Sequence, residues 1–245
     1  MTLMFIAAIL PAVLLGLYIW RKDPHPEPFA WVLRAFSLGV GICIPVAFLE
    51  QYISTLLFGG GAPTSLIGST VNAFFVAAAP EEGAKLLVLW LLLRRCPQFD
   101  EHFDGIVYAV FISLGFATIE NVGYVFMSGE GWVTTAVMRA LLAVPGHYAF
   151  AIMMGYYYAI YHFVDHSPAI AAKMFLVPFF AHGVYDAIAM SGSVNPVAGS
   201  ICTILLIYFC LKLQKEASRK IADLIKQNNE NARTDSTDQA AGTLN

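Results

Sequence analysis

Long apolar runs recur through the chain, and they restrict its fold more than any other feature. A helix rises 1.5 Å per residue, so roughly 17 to 25 apolar residues cross a hydrocarbon layer about 30 Å thick. Segments of about this length lie at 3–20, 31–49, 66–93, 104–127, 140–162, 170–190 and 194–213. These runs predict an all-α polytopic membrane protein with about seven transmembrane helices.

Lysine and arginine are distributed unevenly between alternate loops of this arrangement. If the N-terminus lies outside, Arg139 falls on the outer side, Lys85 lies within a span, and the remaining basic residues fall on the inner side. Cytoplasmic loops are enriched in lysine and arginine. The pattern therefore predicts that the N-terminus is outside and the C-terminus inside.

The composition changes after the last apolar run. Residues 1–213 form the predicted transmembrane bundle, 214–227 continue a helical pattern as a cytoplasmic extension, and 228–245 are polar and predicted to be disordered. A net charge of −3 leaves no basic excess, so we expect no nucleic-acid partner. The cysteines show no paired spacing, and we interpret them as packing residues: Cys43, Cys96, Cys202 and Cys210.

Ionisable side chains lie inside four of the predicted spans, where each costs about 2.5 to 3.5 kcal/mol at the helix centre. They and their polar neighbours are Glu81, Glu82, Lys85, Glu120, Asn121, His147, His182 and Asp186. Counting 1.5 Å per residue from the inner boundaries places the acidic and imidazole groups roughly 18 to 24 Å up each helix. We therefore predict a single polar layer, somewhat nearer the outer face.

Helical spacing indicates which of these groups point together. Residues four apart share a helix face, as do His182 and Asp186, Glu81 and Lys85, and Phe116 and Glu120. Two prolines precede the polar positions: Pro80 and Pro145. Proline interrupts the backbone hydrogen bonds of a helix, and loosened backbone at this depth is tolerated only in contact with protein or a wet cavity. A cavity beside the polar layer follows from this pattern.

Two hydrolytic schemes use this set of side chains. In the first, Zn²⁺ is bound and activates water, and a remaining carboxylate is the base. Its predicted ligands are Glu82, Glu120, His147 and His182. In the second scheme no metal takes part; Glu81 or Glu82 activates water, and a histidine with Asn121 stabilises the oxyanion.

Both schemes use the same residues. The predicted catalytic residues are Glu81, Glu82, Glu120, His147 and His182. The predicted supporting residues are Lys85, Phe116, Asn121 and Asp186.

Other protein classes use similar features. A proton- or metal-ion-coupled transporter also carries acidic and imidazole groups at membrane depth, although this chain shows no evident internal repeat. A non-catalytic scaffold that binds partner helices would tolerate Glu81→Ala. His25 and Glu27 lie in a proline-spaced inner loop, where we expect no metal site.

Four motifs together resemble the PrsW family of bacterial intramembrane proteases, within the group that includes the CAAX prenyl endopeptidases. They are PEEGAK, GFATIEN, PGH followed by MGYYY, and AHGVYD, and the resemblance covers about residues 70 to 190. It implies a multi-pass protein of the inner cell membrane. The family is treated as metalloproteases, and its named member cleaves a membrane-anchored anti-sigma factor on the extracytoplasmic side. The resemblance therefore implies a membrane-anchored protein substrate, with the lipid bilayer as the other partner.

Overall fold

The described part of the chain consists of helices joined by short loops. The computed structural model describes residues 1–194 and 196–242, except for the side chains of 193–200, 203, 213 and 227–242, and no strand occurs among the described residues. Its α-helices are α1 (Thr2–Lys22), α2 (Phe29–Phe58), α3 (Leu66–Val71), α4 (Ala79–Leu93), α5 (His102–Met127), α6 (Trp132–Met138), α7 (Val144–Phe163), α8 (Pro168–Val194) and α9 (Pro196–Gly242). Two π-helical segments, π1 (Asn72–Ala78) and π2 (Arg139–Ala143), and a 3₁₀ turn (Gly129–Gly131) complete the order.

Five of the described helical stretches are long and apolar enough to cross a membrane. They are Thr2–Lys22, Phe29–Phe58, His102–Met127, Gly129–Phe163 and Pro168–Gly192. The predicted span 66–93 is also helical throughout, as α3, π1 and α4, and the predicted span 194–213 falls largely within α9. The prediction of an all-α polytopic membrane protein is confirmed, whereas the orientation stays a prediction.

Helix α5 lies at the centre of the bundle and packs against α1, α2 and α7. Most of its side chains from Phe103 to Thr118 are buried. Helices α1 and α2 instead expose many apolar side chains, and Phe48 is 74% exposed. Such a large apolar surface is rare on soluble proteins. We interpret this side of the bundle as the surface that contacts lipid.

Helices α2 and α5 approach closely at two glycines. A Cβ atom at Gly39 would lie 2.8 Å from the carbonyl carbon of Ile112 and 3.0 Å from the backbone nitrogen of Phe116. A Cβ atom at Gly115 would lie 3.0 Å from the carbonyl carbon of Phe36. Small residues allow this approach, and van der Waals packing drives helix association in a bilayer. The contact fixes α5 against α2 one turn before the polar layer.

This contact predicts a difference between two glycines of α2. We expect Gly39→Ala to lower the free energy of unfolding by about 1 to 3 kcal/mol, because the added methyl group overlaps the backbone of α5. Gly41 is the matched control, since nothing lies within 4 Å of a Cβ atom there. Unfolding of the purified variants in detergent micelles measures the difference. Equal effects of Gly39→Ala and Gly41→Ala would contradict the close packing.

A π-helical segment precedes each of the two prolines in the polar motifs. In π1 the backbone N–H of Ala79 donates to the carbonyl oxygen of Phe74, five residues earlier, and an equivalent bond closes π2. Pro80 and Pro145 have no N–H to donate, so the turn before each is free to widen. We predicted loosened backbone at these prolines. The helix instead stays continuous and accommodates each proline in a wider turn.

The loop between α1 and α2 is folded into the bundle. Asp23 and Glu27 are each 4% exposed, and the hydroxyl of Tyr108 on α5 donates to the carboxylate of Glu27. Burial raises the pKa of Asp23 to about 7, and burial also raises the pKa of Glu27. The sequence did not predict this burial, because the contacting tyrosine lies 81 residues further along the chain.

Helix α9 continues past the predicted end of the last span and packs along the bundle. Within the predicted cytoplasmic extension, 214–227, the side chains of Ala217, Ile221 and Leu224 are buried in the main core. The Gln214 amide donates to the carbonyl oxygen of Pro145 over 2.6 Å. The backbone is helical through Gly242, where composition predicted a disordered tail at 228–245. The side chains of 228–242 and all of residues 243–245 lie outside the described part of the chain. The predicted boundary between the cytoplasmic extension and the tail therefore stays a prediction.

Candidate active site

A cavity of about 400 Å³ lies where α5, π2, α7, α8 and α9 meet. Its ionisable lining includes Glu120, Arg139, His147, His182 and Asp186. The cavity also contacts Ala189, Met190 and Gly192 in the last turns of α8. It therefore connects the polar layer with the end of the bundle that the predicted orientation places outside.

His182 is held on both sides by carboxylates. Its Nδ1 lies 2.9 Å from Oε1 of Glu82 on α4, and its Nε2 lies 3.3 Å from Oδ2 of Asp186, one turn further along α8. Phe150 stacks on the imidazole ring, with centroids 4.9 Å apart. An ionised carboxylate only accepts hydrogen bonds, so Nδ1 is assigned as the donor to Glu82. This imidazole has a fixed orientation at the cavity wall.

Lys85 joins the two adjacent glutamates to a second imidazole. Its Nζ donates to Oε2 of Glu81 over 2.8 Å and to Oε1 of Glu82 over 2.9 Å, and it lies 3.2 Å from Nδ1 of His147. The ammonium also lies 4.4 Å from the ring centroid of Phe116. These side chains are all buried. Their spacing in the sequence predicted the pairing of Glu81 with Lys85 but could not predict the partner on α7.

Glu120 forms the other carboxylate–imidazole pair. Its Oε2 lies 2.9 Å from Nε2 of His147 and 2.8 Å from Nη2 of Arg139. The ring centroids of His147 and His182 are 5.3 Å apart. The two pairs, Glu120–His147 and Glu82–His182, therefore lie side by side. The structure brings together all five predicted catalytic residues.

Asn121 and Arg139 differ from the sequence prediction. The amide nitrogen of Asn121 donates to the carbonyl oxygen of Ala8 on α1, and its Oδ1 accepts from Nε of Arg139 over 2.6 Å. Both polar groups of the Asn121 side chain therefore bind protein groups, one on α1 and one on Arg139. We had predicted that Asn121 would contact the oxyanion instead. Arg139 was missed as a site residue. Its isolation as the single basic residue of the predicted outer side was the available signal.

Glu50 on α2 is a further acidic residue near the site that we did not predict from the sequence. It interacts electrostatically with Glu81 and Glu120, and its buried Oε1 has no hydrogen-bond partner among the described residues. It follows Cys43 by seven residues, and this spacing places it on the face of α2 that packs against α5. That spacing could have identified it. Glu50 lies outside the cavity lining.

The site as arranged is an ion-pair network. Glu81, Glu82 and His182 each place a potential ligand atom within 4.8 Å of the other two, so their chemistry suits a metal ion. However, the ammonium of Lys85 already contacts both glutamates, and Nδ1 of His182 donates to Glu82. A metal would have to displace the ammonium and a proton. The residues therefore do not fit a metal ion in this arrangement.

The predicted zinc ligands divide between the two carboxylate–imidazole pairs. Glu82 and His182 form one pair, and Glu120 and His147 form the other. Within each pair the carboxylate and the imidazole are hydrogen bonded to each other. Among the described residues, the potential ligands of this layer that lie close enough to share one ion are Glu81, Glu82 and His182. This group includes Glu81, which was not a predicted ligand, and lacks Glu120 and His147. The ligand set from the sequence stays a prediction.

The fold and the site define a polytopic membrane protein with a buried carboxylate–imidazole centre beside a cavity. The profile of the PrsW family of intramembrane metalloproteases matches residues 27–212. The chain belongs to this family, and it is a membrane-embedded protease. The resemblance found in the four sequence motifs is confirmed.

Curated relatives support the same assignment. Protease PrsW of Geobacillus kaustophilus is 38% identical over 182 residues, which cover 74% of this chain and 76% of the relative. Protease PrsW of Bacillus subtilis is 36% identical over 183 residues, covering 74% and 79%. Protease PrsW of Clostridioides difficile is 34% identical over 193 residues, covering 76% and 79%. No solved structure matches the chain.

Proposed function

We propose that this protease is an endopeptidase that hydrolyses a peptide bond of a membrane-anchored protein near the outer face of the membrane. The observation that carries the proposal is the close packing of two carboxylate–imidazole pairs, Glu82–His182 and Glu120–His147, around Lys85 beside the cavity. Such groups transfer protons and stabilise developing charge, which hydrolysis by activated water requires.

Glu81 is the proposed general base. Its side chain is 6% exposed, against 1% for Glu82, and Lys85 pairs with its Oε2. Glu82 is already committed to both Lys85 and His182. Neither Glu81 nor Glu82 is among the residues that line the cavity, and Glu81 is the one less committed to other partners. We therefore assign Glu81 to accept a proton from the attacking water as the water oxygen bonds to the carbonyl carbon. The proton passes to the leaving amine nitrogen when the C–N bond breaks.

His182 is the proposed stabiliser of the oxyanion. Glu82 holds its Nδ1, so Nε2 is the nitrogen turned toward Asp186 at the cavity wall. With a carboxylate beside each nitrogen, His182 acts as an imidazolium that carries a proton on both Nδ1 and Nε2. A hydrogen bond from Nε2 to the carbonyl oxygen strengthens as negative charge develops there. Glu120, fixed by Arg139, orients His147 in the second pair. No step of this scheme uses a metal ion, although the family name refers to one.

The substrate class follows from the position of the cavity and from the family. The cavity reaches the end of α8, which the predicted orientation places outside, and it lies beside helices that cross the membrane. A protein anchored by one helix can present its juxtamembrane segment there. Within this class, the family resemblance implies an anti-sigma factor as substrate, cut by a first, extracytoplasmic cleavage.

The experiment uses the purified full-length protein in proteoliposomes with a single-span reporter labelled at both ends. We expect one cut on the outer side of the reporter helix, located by mass spectrometry. We also expect EDTA or 1,10-phenanthroline to change the cleavage rate by less than about twofold, and added Zn²⁺ to give no increase. The reason is that the ammonium of Lys85 already compensates the charge of Glu81 and Glu82. The variant Glu81→Gln is the inactive control.

Each alternative gives a different result in the same vesicles. Loss of cleavage in chelator with recovery in Zn²⁺ would replace the metal-free scheme by the metal scheme. An intact reporter together with Glu81-dependent proton or metal-ion flux would replace proteolysis by transport. An intact reporter without flux would contradict endopeptidase activity on this substrate class.

A further inference from the structure

Three carboxyl groups meet at the end of the bundle where α1 ends and α5 begins. The cavity lies beside the other end of α5. Asp23 and Glu27 lie in the loop between α1 and α2, and Asp104 lies in the first turn of α5. A carboxylate oxygen of each lies within 4.8 Å of those of the other two. All three residues are at most 4% exposed. Three carboxyl groups therefore share one buried space.

The carboxyl groups of Glu27 and Asp104 are hydrogen bonded to each other, and the other hydrogen bonds to this group come from neutral donors. The Tyr108 hydroxyl donates to Glu27, and the backbone N–H groups of Asp100 and Glu101 donate to Oδ2 of Asp104 over 3.1 and 2.7 Å. In the part of the chain that the structure describes, no salt bridge joins lysine or arginine to any of the three carboxylates.

Asp23 is an incompletely satisfied member of the group. Its Oδ1 accepts from the backbone N–H of His25 over 3.0 Å, but its Oδ2 is buried and has no hydrogen-bond partner among the described residues. Leaving a buried polar atom unsatisfied costs about 1 to 3 kcal/mol, and more for a charged group. A bound cation would satisfy this oxygen and would stabilise the ionised form of the carboxyl groups, which burial alone disfavours.

We propose that Asp23, Glu27 and Asp104 bind one divalent cation of the kind that prefers oxygen ligands, Mg²⁺ or Ca²⁺. Such ions bind carboxylate oxygens at about 2.0 to 2.6 Å, so ligand oxygens on opposite sides of one ion are about 4 to 5 Å apart. Carboxylates without a free imidazole or thiolate favour these hard ions over zinc. The nearby Cys96 donates to Tyr108, and His25 pairs with Glu101.

The bound cation would connect the loop after α1 to the start of α5. Helix α5 carries Glu120, so the cation stabilises the central helix of the bundle at the end opposite the cavity lining. From the sequence we expected no metal site in the loop of His25 and Glu27. The contribution of Asp104 from a distant segment changes that expectation.

Direct binding to the full-length protein in detergent micelles tests the site. After removal of metals, Mg²⁺ and Ca²⁺ are titrated separately by isothermal calorimetry, and the tighter ion identifies the preference. We expect one saturable site, and a dissociation constant at least about tenfold weaker in Asp23→Asn and in Glu27→Gln, since each loses a charged ligand. Asp100→Asn is the matched control, because that exposed carboxylate lies in the adjacent loop outside the cluster.

Two further measurements separate this site from the active site and from a packing role. Glu82→Gln must leave the binding unchanged. Without divalent cation, Asp23→Asn must unfold at the same temperature as the unsubstituted protein or at a higher one, because the substitution removes repulsion between carboxylates. When the cation is added, only the unsubstituted protein and Asp100→Asn must gain stability. Absence of saturable binding, equal weakening by Asp100→Asn, or loss of binding in Glu82→Gln would overturn the proposal.

Discussion

Replacing Glu81 with glutamine is expected to lower the rate of reporter cleavage at least about 10³-fold, because the amide cannot accept the proton of the attacking water. The substitution keeps the size of the side chain and retains an oxygen that accepts from Lys85. We therefore expect the variant to fold and to show the thermal unfolding of the unsubstituted protein. Initial rates at saturating and at low reporter concentration measure the effect on kcat and on kcat/KM.

Glu82→Gln is the matched variant, one residue away in the same buried turn. Its oxygen can still accept from Nδ1 of His182, so we expect a smaller loss, about 10- to 100-fold, of the size found when partners of catalytic groups are altered. Greater activity in Glu81→Gln than in Glu82→Gln would reverse the two assignments. Equal and complete loss of cleavage in both variants would show that Glu81 and Glu82 act together as one catalytic unit.

Helical spacing predicted those parts of the site that lie within one helix. Residues four apart pair as expected in α4 and α8, where Lys85 contacts Glu81 and Asp186 contacts His182. Counting residues from the span boundaries also placed the polar side chains of four spans at a common depth. These predictions succeeded because the rise and the period of a helix are nearly constant.

Contacts between helices could not be predicted in the same way. The rotation of each helix about its axis decides whether a polar group faces the cavity, and the two π-helical segments change that rotation just before the prolines. Asn121 follows Glu120 directly in the sequence, yet its side chain contacts α1 and Arg139. The partners of Glu27 on α5 depend likewise on how the loop packs, which local sequence does not specify.

Charge compensation in the polar layer depends most strongly on Lys85. We expect Lys85→Met to lower the free energy of unfolding by about 3 to 5 kcal/mol, since it keeps the length of the side chain but leaves Glu81 and Glu82 buried without the ammonium. Cleavage should fall to the level of the Glu81→Gln variant, because the network that positions the base and His147 is lost. Lys173→Met is the control, since Lys173 is exposed and remote from this network.

A double substitution separates electrostatic stabilisation from packing. If unpaired charge causes the instability, Glu82→Gln introduced into Lys85→Met removes one uncompensated carboxylate and restores part of the lost stability, while cleavage stays absent. Unfolding in detergent micelles of both single variants and of the double variant gives the coupling free energy. Additive losses would show that the uncompensated carboxylate of Glu82 does not cause the instability, and the ion-pair network would then not account for the stability of the site.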